Sequence, residues 1–258
     1  MQTIPKLRVG HTTSLANLST YRLEDMAAAT DEVLEALRVL GRAGTNPVAQ
    51  VLKCQGDFLE LDHYPKGDVY DEEAGSQYYY HAHRAETGEH GHFHVFLRAG
   101  GMPPGVEPMP YAGTEQRPLG ADAIAHLIAV SMDRAGLPVG FFTTNRWVTG
   151  ETFYGASDVI SMLDRFEIDH AYPCLATNRW ITALLRLFRP QIEVLLWQRD
   201  AEIFRRQRMS PDVDVFEDRS LEILSELKID IDEQASHVDA ALAKRIADRI
   251  SLPFRRAS

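Results

Sequence analysis

Between residues 23 and 40 the apolar positions Met26, Val33, Leu34, Leu37 and Leu40 recur at three- to four-residue spacing, the period of one helix face. Gly41 and Gly44 follow and close that helix. A short second helix is expected over residues 45–53, with Thr45 or Asn46 as cap and Pro47 in the first turn. Residues 1–20 show no period and read as an irregular arm. Residues 56–75 lose the period again and fill with Asp62, Pro65, Gly67, Asp68 and Asp71, which reads as a long surface loop.

Period two then takes over. Residues 77–83 (QYYYHAH) and 90–98 (HGHFHVFLR) predict an antiparallel hairpin joined by a six-residue, Gly-containing connection. Residues 99–121 are a Gly- and Pro-containing loop, and residues 123–132 and 137–145 flank Asp133-Arg134-Ala135-Gly136 as a second hairpin. Helical period returns over 158–166, 178–188, 190–206, 220–227 and 233–250. Strands followed by a run of helices predict an α+β fold: a central antiparallel sheet of about four or more strands, helices packed on one face, and a helix-rich C-terminal third. One domain is expected over 1–258, with an N-terminal arm and helices (1–56), the sheet (57–155) and a helical part (156–258). Thr144-Asn145-Arg146-Trp147-Val148-Thr149 matches residues 177–182 at five of six positions, too short a similarity to predict a repeat architecture.

Charge narrows the partners. The chain carries 27 Lys and Arg against 37 Asp and Glu, a net charge of −10. That balance opposes nucleic acid and anionic membrane surfaces, which attract clustered Lys and Arg. No apolar run approaches the roughly 20 residues of a bilayer span. The first residues lack a basic stretch followed by an apolar one, and two cysteines, Cys54 and Cys174, suit a reducing compartment, so a cytoplasmic location is expected. The apolar pattern of the C-terminal third suits a core or a homodimer surface.

Histidine placement is the unusual feature. Five of the ten histidines lie between positions 81 and 94, where an even spread would put about 0.5. Alternate strand residues share a face. A register pairing His83 with His90, His81 with His92 and Tyr79 with His94 therefore puts five imidazoles on one side and leaves the other apolar. Opposed Cβ atoms about 4.5 to 5.5 Å apart let two to four imidazoles converge on one ion. The expected ligands are His81, His83, His92 and His94, with His90 nearest the turn as a further ligand, a supporting residue or an exposed one. Imidazole suits a transition metal such as Fe, Zn or Cu. Glu89, Glu151 or Asp62 offer a carboxylate. An open coordination position predicts a metal-dependent oxidoreductase or hydrolase acting on a small molecule, with Tyr79, Glu89 and Arg146 assisting; a closed one predicts a non-catalytic metal-binding or sensor protein. His126, in phase with Ile128 and Val130, reads first as a core-edge residue. His63 reads first as an exposed turn histidine, and Arg146 as half of an internal ion pair.

Glu89-His90-Gly91-His92-Phe93-His94-Val95-Phe96 resembles the His-x-His-x-His strand of the histidine-triad nucleotide hydrolases and transferases. That resemblance implies His92 as a nucleophile toward phosphorus, flanked by His90 and His94. On a wider scale, QYYYHAH at 77–83, GEHGHFHVFLR at 88–98 and TTNRWVTGE at 143–151 resemble an uncharacterised bacterial family catalogued as a domain of unknown function. This second resemblance implies no activity.

Overall fold

The computed structural model describes residues 15–84, 88–111 and 113–251; most of the expected N-terminal arm lies outside them. Six strands form one antiparallel sheet in chain order: β1 (Tyr64–Asp71), β2 (Ser76–His81), β3 (Gly91–Arg98), β4 (Ile124–Met132), β5 (Pro138–Thr144) and β6 (Ile223–Lys228). Helices α1 (Thr20–Arg42) and α2 (Pro47–Leu52) precede the sheet. The short α3 (Arg146–Thr149) leaves β5, α4 (Ala156–Leu163), α5 (Leu175–Leu187) and α6 (Arg189–Met209) precede β6, and α7 (Ile231–Ser251) follows it.

Alternation along the strands sorts the two faces. Tyr78 and Tyr80 of β2, Phe93, Val95 and Leu97 of β3, Ile128 and Val130 of β4 and Phe141 of β5 join one core with Met26 and Val33 of α1 and Trp180, Ile181 and Leu184 of α5. The Phe93 and Trp180 rings meet at 5.6 Å between centroids. Burying side chains of this size contributes about 1.5–3 kcal/mol each, so the helical layer holds this face in place. The opposite face receives the even-numbered residues of β3 and the odd-numbered residues of β2, which include the histidines.

The first two helices start on side-chain caps, and of the two caps expected for the second, Asn46 takes the place. The Ser19 side chain accepts the Arg22 N–H at 3.1 Å, and Asn46 accepts that of Ala49 at 2.8 Å. The repeated hexapeptide occupies unlike positions: Asn145 caps α3, whereas Asn178 lies inside α5 and accepts the Tyr78 hydroxyl at 2.6 Å.

Two expectations are corrected. Within the expected loop at 56–75, residues 64–71 form the edge strand β1. An irregularity between Tyr64 and Val69 breaks its pairing with β2, and Pro65 and Gly67 conceal the alternation; an edge strand tolerates both. The expected helix at 220–227 is instead β6. Both of its sides are covered, Leu224 by Phe153 and Phe216 and Ser225 by a 2.8 Å bond to the Leu195 carbonyl of α6, so its apolar positions do not alternate simply.

Candidate metal centre

The observed register pairs Tyr79 with His94 and His81 with His92, as expected from strand phase. His81 ends β2, and His92 and His94 lie on the same face of β3. All three are buried, and each offers a ring nitrogen within 4.8 Å of the others. The Nε2 atoms of His81 and His92 are 2.7 Å apart. His94 Nε2 is buried with no hydrogen-bond partner.

Neighbouring residues aim these rings. His92 Nδ1 lies 2.5 Å from Glu89 Oε1. Donation from this Nδ1–H to the carboxylate leaves the Nε2 lone pair directed at His81. Glu89 also takes a hydrogen bond from the Ser131 side chain. A register shift after Val95 places His126 of β4 opposite Phe96 and on the histidine face. Its Nε2 is 2.9 Å from His94 Nδ1, and its Nδ1 is 3.4 Å from Thr144 Oγ1. Phe142 closes another side with its ring 5.0 Å from that of His92, and the Arg84 guanidinium lies over Phe142.

The remaining candidates separate. His83 lies just past β2, half-buried, with its ring 4.9 Å from His81 and 5.0 Å from His92. Tyr79 is in the cluster, 5.2 Å from His94 between ring centroids, with the His63 ring stacked on it at 3.5 Å. His90 leaves the cluster: it lies just before β3, bonds the Tyr80 hydroxyl through Nδ1 at 2.6 Å and stacks on Phe58. Its partner Tyr80 belongs to the apolar face, so five imidazoles do not share one side, and the three-histidine alternation of the triad-like strand is broken at its first member. Arg146 also lies elsewhere, its Nε donating to Glu217 Oε1 at 2.6 Å and its Nη1 to the Glu151 carbonyl. Glu151 stands behind His126, accepting its backbone N–H at 2.7 Å. Asp62 is exposed.

His126, Thr144, Phe142 and Arg84 complete the surroundings. For His126 the sequence signal was its strand phase, but the register shift that places it beside His94 left no mark in the residue pattern.

Residues 27–229 match the family described as Domain of unknown function (DUF6969). The chain belongs to this family. No curated protein and no solved structure matches the chain. The DUF6969 match spans all six strands and every member of the histidine cluster; it does not show the short histidine-triad likeness. Among the described residues, no helix is long and apolar enough to cross a membrane.

Burial dominates the electrostatics of this DUF6969 site. Removal from water, reinforced by neighbouring histidines, brings His81 down to about 2 and His94 well below the usual histidine range. Burial, with His83 and Arg84 nearby, does the same to His92. His126 falls to about 3 through burial and the Arg199 charge. The imidazoles are therefore neutral at neutral pH, the state in which ring nitrogens bind metal. Glu89 is raised by burial, and Glu151 is pushed up to about 7 by burial against the opposing influence of Arg199. Tyr79, raised by burial, keeps its proton.

Proposed function

We propose that this protein holds a transition-metal ion between His81, His92 and His94 and acts as a metal-dependent enzyme on a small molecule. The observation that carries the reading is the buried, unpartnered Nε2 of His94 beside two further ring nitrogens. Leaving such an atom unsatisfied costs about 1–3 kcal/mol, and an ion would satisfy it. Glu89 is placed to fix His92 by the carboxylate–histidine arrangement that orients metal ligands. Imidazole donors suit Fe, Zn or Cu. Three protein ligands leave a position open on a four-coordinate ion, and a bound ion supplies Lewis acidity there.

A second reading, a closed and non-catalytic metal site, draws on His83, whose ring stands about as near to His81 and His92 as theirs do to each other. As a fourth ligand His83 would fill the open position.

Metal analysis of tag-free protein grown in metal-supplemented medium tests the first claim. Stoichiometric metal is expected in the native chain and its loss in His92→Ala/His94→Ala. Substoichiometric metal in the native chain would overturn the proposal. Visible spectra of cobalt-substituted native and His83→Ala proteins then separate the two readings: unchanged ligand-field bands support the open site, and a changed spectrum supports the closed one.

A further inference from the structure

On the histidine face, past Phe96, a cleft of about 970 Å³ is lined in part by His63, Asp68, Tyr70, Gln77 and Arg98. Arg98 ends β3 on the same side as His92 and His94. Its Cα is four residues from that of His94, about 13 Å along a strand. His63, which lines the cleft, stacks on Tyr79, whose ring centroid lies 5.2 Å from that of His94.

The polar groups of the cleft form a directed chain. Arg98 Nε donates to Gln77 Oε1 at 2.6 Å, and Gln77 Nε2 donates to Asp68 Oδ2 at 2.6 Å. Asp68 Oδ1 lies 3.2 Å from His63 Nδ1. Asp68 holds a positive φ of 61° immediately after Gly67, in the irregular part of β1, a backbone geometry that few non-glycine residues adopt. The Gln77 amide thus stands between cation and anion, with its two ends fixed by opposite partners. Arg98 is consequently oriented without being neutralised: among the described residues the only hydrogen bond of its side chain is the one through Nε, and no carboxylate lies within ion-pair distance. Its half-buried guanidinium lies over the Tyr70 ring. The two terminal nitrogens keep their donors for a ligand.

We infer that this cleft binds a small-molecule carboxylate, with the Arg98 guanidinium as its anchor. A guanidinium fork matches the planar carboxylate with two parallel hydrogen bonds. Asp68 in the same cleft disfavours a more highly charged phosphate, while Tyr70, Ala99 and Ala121 offer apolar contact to the body of the ligand. This names the substrate class for the proposed metal enzyme and rests on that reading for the chemistry, but the contact with the anion rests on Arg98 itself.

Butyrate, its neutral isostere butyramide and inorganic phosphate serve as probes, titrated calorimetrically into the full chain, both chelator-treated and metal-loaded. Butyrate is expected to bind in both forms at least about tenfold more tightly than butyramide, the loss expected when a charge-assisted pair is removed. Arg98→Gln is expected to weaken butyrate by a similar factor with metal content unchanged. Arg98→Lys, which keeps the charge and loses the fork, provides a second variant. Equal binding of butyrate and butyramide by the native chain, equal butyrate affinity in folded Arg98 variants, or tighter binding of phosphate than of butyrate would each overturn the inference. Because the chelator-treated arm contains no ion, loss of butyrate binding there is distinguishable from failure of the metal site, which metal analysis reports separately.

Discussion

His92 illustrates how a single side chain acquires two roles from its neighbours. Its Nδ1 is committed to Glu89 at 2.5 Å, and its Nε2 faces His81 at 2.7 Å. Gly91 explains why the chain can arrive at His92 in this orientation: a Cβ there would meet the Tyr80 hydroxyl at 2.5 Å and the His81 carbonyl at 2.6 Å. The glycine between His90 and His92 thus makes room for the Tyr80–His90 bond that draws His90 away. Because Glu89 would orient a ligand without itself touching the ion, Glu89→Gln is expected to lower metal affinity about tenfold to a hundredfold. Competition with a chromophoric chelator measures this, and metal-free unfolding curves recorded alongside separate it from a folding defect. Unchanged affinity in a folded variant would remove Glu89 from the site.

At the scale of elements, the β2–β3 hairpin was the most legible part of the chain, because its two faces differ in chemistry and a one-residue slip would bury histidines in the helical core. Tyr79, His81, His92 and His94 could therefore be placed from phase alone. His90 could not, since phase continues only as far as the strand does, and β3 begins at Gly91. The edge strands were less legible: β1 carries Pro65 and an irregular pairing, and β6 is covered on both sides. Their positions depend on contacts distant in sequence. Asp71 provides one such contact. At the end of β1 its carboxylate accepts the N–H groups of Glu73 and Ala74 at 3.1 and 3.0 Å and, from the segment before α5, that of Asp169 at 2.9 Å. Burial raises this carboxyl, but the three backbone donors together outweigh burial and hold it below its usual range. The stability it contributes is therefore present above the unfolded value near 3.8 and is lost as pH falls through the lower folded value. Asp71→Ala is expected to destabilise the protein by about 1–3 kcal/mol at pH 7 through the donors it leaves unpaired. Urea unfolding at neutral pH checks the loss, and equal midpoints for the two proteins would show that water satisfies those donors equally well.

For the whole molecule, the sheet divides two kinds of interior. Helices seal an apolar layer on one side, while the other encloses neutral imidazoles and the fully buried carboxyl of Glu151. Glu151 follows the left-handed Gly150 that ends α3 and accepts the His126 backbone N–H and the Thr149 hydroxyl. The nearby Arg199 guanidinium is already bonded to Asp200 and the Tyr154 carbonyl, so its charge only partly offsets the burial that brings Glu151 up to about 7. A carboxyl raised on folding favours the native state fully below its unfolded value near 4.5, and that contribution is lost as pH rises through about 7. The imidazoles act in the opposite direction: their lowered values make stability fall as pH drops below the usual histidine value of 6.5. Comparing the native chain with Glu151→Gln isolates the carboxyl, because the imidazoles are common to both and glutamine can accept the same backbone N–H. The native chain is expected to lose stability relative to Glu151→Gln between pH 5 and 8, by at most about 3 kcal/mol at 1.36 kcal/mol per pH unit. Urea unfolding free energies measured across that range test the expectation. A native-minus-variant difference that stays flat with pH would mean that Glu151 is ionised in the folded protein, and that Arg199 compensates its burial fully.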